Sequence, residues 1–492
     1  MQQPYPAAIR QDFDRGCATL VAMSPLALAY LRDTVLATIG IACGALTTAI
    51  LFGVPLALVL ARGGKTARIL AGALAFVRAI PELVLAIVAV VALGLGPIAG
   101  VVALGLHYTA VVAKLYAEIL GSVRRDGAEA LQATGAGTTT AFLVGIVPYA
   151  WPGLVSFGAY AFESIIRASV IVGVVGAGGI GSVLVQDLAV GDYRGFALFV
   201  AVLAALVIVV DVITEKLRTR APAWLTLSAF GTIVIAGVAA FALTDTPPWR
   251  ALRNSPRHLA NFFAGAFPPD LGADTLAIAA HGLLDSVLVA LAGTLGGAVL
   301  ALPFAALITI PVARGWIRGT GWRPWSLPAE IIGRGVIAVG RAIPPIALGM
   351  IAIVFVGLGP RAGALALVVH TACVLAKLIA ESLELGDREA AEALVAGGAS
   401  ASAAFAIGFL PAALPIVAAH TLYRFEWNVR ASTILGMVGA GGLGQAIFNE
   451  QQLLHYHPLL TYVLVAIALV LAIDVASARA RRSLPLETMT LN

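Results

Sequence analysis

Tyr423-Arg-Phe-Glu426-Trp-Asn428-Val-Arg430-Ala-Ser432-Thr-Ile-Leu-Gly436-Met-Val-Gly439-Ala-Gly441-Gly442-Leu-Gly444 repeats an earlier stretch, Tyr160-Ala-Phe-Glu163-Ser-Ile-Ile-Arg167-Ala-Ser169-Val-Ile-Val-Gly173-Val-Val-Gly176-Ala-Gly178-Gly179-Ile-Gly181. In both, Glu and Arg stand four apart, a Ser follows, and a glycine cluster closes an apolar run. The same offset of 263 positions links Arg78 to Arg341, Gly94 to Gly357, His107 to His370, Glu129 to Glu392 and Pro148 to Pro411. No gap is needed from Arg78 to Gly181, so the chain carries an internal duplication. Long-period self-similarity of this kind sets the architecture.

The duplicated material is membrane sequence. Of 492 residues, 60% are hydrophobic and 12% charged, with a mean hydropathy of +0.96. A soluble chain has about 45–50% apolar and about 25% charged residues. The fold class expected is all-α and polytopic. Cys17, Cys43 and Cys373 have no pairing or ligand spacing, so neither disulfides nor a metal site is expected. Arg10, Asp12, Asp14 and Arg15 interrupt the place where a secretory signal would need its apolar core.

A spanning helix needs about 20 mostly apolar residues. About eleven such stretches are predicted, at 33–60, 69–94, 98–120, 140–162, 195–214, 226–245, 282–311, 330–357, 362–383, 403–424 and 458–477. Basic loops follow spans one, three, five and seven: Arg62, Lys65 and Arg68; Arg124 and Arg125; Lys216, Arg218 and Arg220; Arg314, Arg318 and Arg323. Lys and Arg mark cytoplasmic loops. The N-terminus is therefore expected outside, and the C-terminus inside with Arg479, Arg481 and Arg482. Residues 1–220 form the first unit, with five spans. Residues 221–492 form the second, with six. Span six returns the chain to the outside, so both units insert the same way up. The segment 246–278 is expected outside, as an interfacial amphipathic helix carrying Phe262 and Phe263 with Arg253, Arg257 and His258, or as an ordered capping loop.

One cytoplasmic motif occurs twice: Glu129-Ala130-Leu131, Gly135 and Pro148, then Glu392-Ala393-Leu394, Gly398 and Pro411. Glu and Ala favour helix and Gly permits a sharp bend. The spacing reads as a short helix, a turn and re-entry into the membrane. It resembles the coupling motif of binding-protein-dependent ABC importer permeases, with Leu at the third position and Gly145 or Gly408 where that motif has Ile. Arg78-Ala-Ile-Pro81-Glu82, Gly94-Leu-Gly96-Pro97, His370-Thr371 and the Tyr423–Gly442 stretch resemble the phosphonate permease subfamily, with two permeases fused in one chain. In the first unit Ala161, Ile165 and Tyr108 stand where the second has Arg424, Asn428 and Thr371, and Glu82 faces Pro345 across the repeat.

The resemblance implies a type I importer transmembrane domain in the cell membrane. It implies two copies of a cytoplasmic ATPase that holds ATP and Mg, docked on Glu129, Ala130, Gly135, Glu392, Ala393 and Gly398. It also implies an extracytoplasmic solute-binding protein, and import of phosphonate, phosphite or phosphate. No cofactor in this chain and no nucleic-acid partner are expected. The alternative is an ion-coupled secondary transporter of a small anion, since such folds also use internal repeats. Two matched cytoplasmic loops argue against it.

Several residues can line or shape a pathway. Glu163 with Arg167, and Glu426 with Arg430, are i,i+4 pairs in the favoured order. Charges in a span usually face the bundle interior or a wet cavity, and the arginine fork suits phosphorus oxyanions. Each pair can attract an anion, pin a broken helix, or both, with Ser169, Ser432 and Asn428 beside them. Gly176, Gly178, Gly179, Gly439, Gly441 and Gly442 imitate a dinucleotide fingerprint. Inside membrane repeats they read instead as helix breaks or gates. Arg78 with Pro81, and Arg341 with Pro344, are expected at kinks. Lys114 with Glu118, Lys377 with Glu381, and His107 and His370 are expected to tie the bundle. Gly64-Lys65-Thr66 ends like a phosphate loop, but Val59 stands where Gly is required, so no ATPase is expected in this chain.

Overall fold

The computed structural model describes residues 25–219, 228, 231–237, 239, 248–308, 326–385 and 389–482; among these there are helices and turns but no strand. Contacts divide the chain into two compact units, Met1–Gly265 and Ala266–Asn492.

In the first unit the long helix Pro25–Arg62 lies along Pro97–Ser122. A Cβ placed on Gly53 would come within 2.9 Å of Val112 Cγ1, and one on Gly105 within 2.9 Å of Thr48 Cβ. In the second unit Ala273–Ile308 lies along Pro360–Leu385, with Gly293, Gly296 and Gly297 against Leu367, Val368 and Thr371. Lipid tails are as apolar as leucine, so close backbone approach, rather than a hydrophobic drive, holds such pairs. Thr38 and Ser286, Thr48 and Gly296, and Pro55 and Pro303 all stand 248 apart. The first helix of each unit therefore follows the duplication at a shorter offset. The contact itself is inverted: Thr48 fills the space at Gly105, whereas Val368 fills the space at Gly296.

Among the described residues, seven helices are long and apolar enough to cross a membrane, and ten spans result if three bent pairs each count as one. These ten overlap the predicted stretches except 226–245, most of which lies outside the described residues, as do Arg220, Arg314, Arg318 and Arg323. The stretches 69–94 and 330–357 are not merely kinked. Helix Gly64–Ala79 meets Glu82–Leu93 at 87°, and Ile331–Ala342 meets Pro345–Val356 at 95°. Pro81 and Pro344 are extended at these corners. Each lacks the N–H that a continuing helix needs. Arg78 and Arg341 fall in the last turn of the preceding helix, where a cation meets the negative end of the dipole.

The fourth span of each unit starts later than its apolar run. Thr138–Gly145 is a separate short helix, and the spanning helix is Val147–Val172. Its counterpart is Leu410–Leu435, preceded by a π turn over Phe405–Phe409. The segment Pro248–Ala266 is helical, with Arg253, Arg257, His258 and Phe263 exposed and Phe262 buried. The loop after it is tied down within the second unit. Thr461 Oγ1 donates to Asp270 O (2.7 Å), and the Asp270 carboxylate accepts from the Thr275 hydroxyl (2.5 Å) and the Gly272 N–H (2.8 Å). Those two bonds hold the Asp270 carboxyl below the usual carboxylate range.

Candidate functional site

The two elbows are short helices, Asp126–Ala133 and Glu389–Ala396. Glu129 and Ala130 are exposed, as are Glu392 and Ala393. The bend after each is a Schellman motif. Gly135 N–H donates to Gln132 O and Ala136 N–H to Leu131 O, matched by Gly398 to Val395 and Ala399 to Leu394. Gly135 and Gly398 have φ of +92° and +91°, a region that disfavours a Cβ. Gly145, where the resembled motif has Ile, lies against the first elbow. A Cβ there would come within 2.7 Å of the Ala128 backbone, so the departure from the motif seats the short helix closely. Replacing Gly135 or Gly398 with Val is expected to cost about 1–2 kcal/mol of local strain at each bend. Transport should fall more than membrane yield, which uptake normalised to purified protein would measure.

Glu163 and Arg167 lie inside the Val147–Val172 helix rather than beyond its end. Hydropathy alone cuts the span short at these charges, but pairing lets the helix continue through them. Arg167 Nη1 is 2.6 Å from Glu163 Oε1 and 3.9 Å from Asp211 Oδ1, and Glu163 is 7% exposed. In the second unit Arg430 Nη2 contacts both oxygens of Asp474, at 2.5 and 2.6 Å. Asp211 and Asp474 are 263 apart, each within an apolar span. Spacing within one helix does not reveal these acids, because their partners lie on another helix; the signal the sequence carries is an isolated acid at the repeat offset. The hydroxyls of Ser169 and Ser432 turn back to their own helices, donating to Ile166 O (2.7 Å) and Val429 O (2.8 Å).

The glycine clusters break the helix in both units. Val147–Val172 passes into a π turn, Gly173–Ala177, before Gly179–Val190 begins. Gly176, Gly178 and Gly179 have φ of +106°, +86° and +70°; Gly439, Gly441 and Gly442 have +90°, +80° and +78°. Glycine alone adopts such angles without a Cβ penalty. The corner is fastened at matched points. Gly96 N–H donates to Gly176 O (3.0 Å) and Gly359 N–H to Gly439 O (2.8 Å). Ile180 N–H donates to Thr38 Oγ1 (2.9 Å) and Leu443 N–H to Ser286 Oγ (3.0 Å). Each hydroxyl satisfies a donor that the start of a helix leaves without an intrahelical partner.

Other expected pairs form locally. Lys114 Nζ is 3.6 Å from Glu118 Oε1, and Lys377 Nζ is 3.5 Å from Glu381 Oε1, with side chains roughly half exposed. His107 Nε2 is 3.5 Å from Glu82 Oε1. In the second unit, where Pro345 replaces that acid, His370 stacks on Trp427 at 5.3 Å. Among the described residues, no group of three or more His, Cys, Asp or Glu is placed to hold a metal ion.

The profile of the family described as binding-protein-dependent transport system inner membrane component matches residues 49–221 and 323–484. The phosphate-import permease protein PhnE of Mycolicibacterium smegmatis is 30% identical over 492 residues, covering 95% of this chain and 89% of that protein. The phosphite transport system permease protein PtxC of Stutzerimonas stutzeri is 34% identical over 231 residues, covering 47% of this chain and 79% of that protein. Inward-facing structures of the MetNI methionine ABC transporter match 44% of this chain and 99% of theirs, at 23% identity and a TM-score of 0.38. Two separate profile matches cover most of the sequence, so the chain belongs to the binding-protein-dependent transport system inner membrane component family and carries two permease units in one polypeptide.

Proposed function

We propose that this chain is the membrane-spanning permease of an ATP-driven importer of phosphorus oxyanions: phosphate, phosphite or a phosphonate. The observation that carries the proposal is the pair of exposed elbow helices, each closed by a Schellman glycine at the same repeat position. A relative named for phosphate import aligns with 95% of the chain. Each elbow docks one copy of a cytoplasmic ATPase, which binds ATP and Mg. An extracytoplasmic solute-binding protein delivers the anion. The basic loops then lie in the cytoplasm, the N-terminus outside and the C-terminus inside, in the cell membrane. As permease units the chain divides into residues 1–220 and 221–492, a boundary earlier than the one between its two compact units at Gly265, and the helix Pro248–Ala266 lies on the outer surface in this reading. Closure of the ATPase pair on ATP moves both elbows and exposes the pathway to the outside.

The test is reconstitution of the chain with its co-purified ATPase and binding protein in liposomes. Uptake of radiolabelled phosphate, phosphite or methylphosphonate should require internal ATP and survive a protonophore. Uptake without ATP, driven by an imposed ion gradient, would replace the proposal with a secondary transporter.

A further inference from the structure

The two units use the same helices but fill their interiors differently. In the second, Asn428 is 0% exposed and donates through Nδ2 to Thr294 Oγ1 (2.8 Å) and Thr371 Oγ1 (3.0 Å). Its Oδ1 accepts from Arg424 Nη2 at 3.5 Å. Arg424 is 5% exposed, and its Cζ lies 4.2 Å from the centre of the Trp427 ring. Trp427 in turn stacks on His370, with 24° between the planes. In the first unit the repeat offsets put Leu46, Tyr108, Ala161, Ser164 and Ile165 at the positions of Thr294, Thr371, Arg424, Trp427 and Asn428. Leu46 and Ile165 are 0% exposed there. An apolar interior therefore suffices to build this helix arrangement. Polar and charged groups in a span are costly, and the second unit bears that cost for something other than its fold.

We propose that the second unit alone contributes the transient binding site for the tetrahedral oxyanion, with Arg424 as its principal ligand. The inference rests on the function proposed above and adds which half holds the substrate. Trp427 packs on the face of the guanidinium, and Asn428, itself held by two threonines, meets one edge at 3.5 Å. A planar fork packed in this way can meet two oxygens of a phosphorus oxyanion at a small ordering cost. It exchanges the edge contacts of this state for those of the anion. The two arginines of the repeated Glu–Arg stretch are worse placed. Arg430 is engaged by both oxygens of Asp474. Arg167 is a single cation beside two acids, Glu163 and Asp211, so its surroundings oppose an anion. By sequence the first unit sets Arg167 against Glu163 and Asp211, and the second sets Arg424 and Arg430 against Glu426 and Asp474, one charge more favourable. Arg424 is the fifteenth of the 26 residues of Leu410–Leu435, about 21 Å along that helix at 1.5 Å per residue and so near its middle.

The experiment uses the whole reconstituted importer and [32P]phosphate, phosphite and methylphosphonate as probes. Arg424→Met should lower ATP-driven uptake at least tenfold, while binding-protein-stimulated ATP hydrolysis and complex assembly stay within twofold of wild type. Arg424→Lys should assemble, keep part of the uptake, raise the substrate KM several-fold and change the phosphate-to-methylphosphonate ratio. A purely structural role would not move that ratio. Ile165→Val, at the position of Asn428 in the first unit, should transport normally. If Arg424→Met destroys assembly, Arg424→Lys decides, and an unchanged KM and ratio overturns the assignment. Wild-type uptake by Arg424→Met overturns it as well. Failure of the wild-type importer to carry any of the three anions would instead overturn the function on which it rests.

Discussion

Gly444→Ala should prevent the second unit from assembling. A Cβ at Gly444 would lie 1.7 Å from Thr433 O and 2.7 Å from Thr433 C. Both are backbone atoms of the membrane helix, so no side chain can swing aside. The neighbouring Gly436 is as confined, with a Cβ 2.5 Å from Gly441 O and 2.6 Å from Gln445 N. Overpacking by one methyl in a deformable core costs about 1–3 kcal/mol; here the corner itself must open, and the expected cost exceeds about 3 kcal/mol. Gly181→Ala should do the same in the first unit, where the Cβ would come within 2.1 Å of Val170 O. Two controls separate space from conformation. Gly178 has φ of +86° but nothing within 4 Å of its Cβ, so Gly178→Ala should cost only about 1–2 kcal/mol of left-handed strain. Gly121 is helical with open space around it, and Gly121→Ala should be neutral or gain up to about 1 kcal/mol of helix propensity. Thermal unfolding in detergent, read by size-exclusion profile, should rank the variants in that order. A monodisperse Gly444→Ala chain of wild-type stability would remove the corner as a rigid element.

The duplication made much of this corner legible. A glycine cluster inside an apolar run, found twice at one offset, marks a required break, and the positive φ angles fall within that cluster. The elbows were legible for the same reason, because the Schellman glycine stands at a fixed distance from the Glu-Ala pair in both copies. Helix starts were not. The apolar run from 140 reads as one span, but Gly145 packs on Ala128 and the spanning helix begins only at Val147. That contact depends on where another segment lies, which periodicity does not report. The right-angle corners at Pro81 and Pro344 likewise exceed a proline kink, since proline permits a break without fixing its angle. The hydroxyl clasps of Thr38 and Ser286 were hidden by a change of offset from 263 to 248 ahead of Arg78.

Asp474 should matter far more than Asp211, although the two occupy the same repeat position. Asp474 gives both carboxylate oxygens to Arg430, and the side chains are 30% and 31% exposed. Removing the acid leaves a cation in a mostly apolar bundle. Breaking a fully buried pair costs about 3–5 kcal/mol. With this residual exposure, Asp474→Ala should cost about 2–3 kcal/mol. Asp211 lies 3.9 Å from Arg167, which Glu163 already engages at 2.6 Å within the same helix. The part of the Asp211→Ala loss that runs through Arg167 should therefore be under about 1 kcal/mol, in the range of weak, partly solvated pairs. Glu163→Ala should exceed it, because Glu163 is the more buried partner. Denaturation of the purified chain by SDS titration would measure all three, and Arg430→Met with Asp474→Leu should restore most of the loss by removing both charges. Equal losses for Asp211→Ala and Asp474→Ala would mean that the arginines are held alike in both units. The two halves would then differ in their polar interiors but not in how their charged helices are pinned.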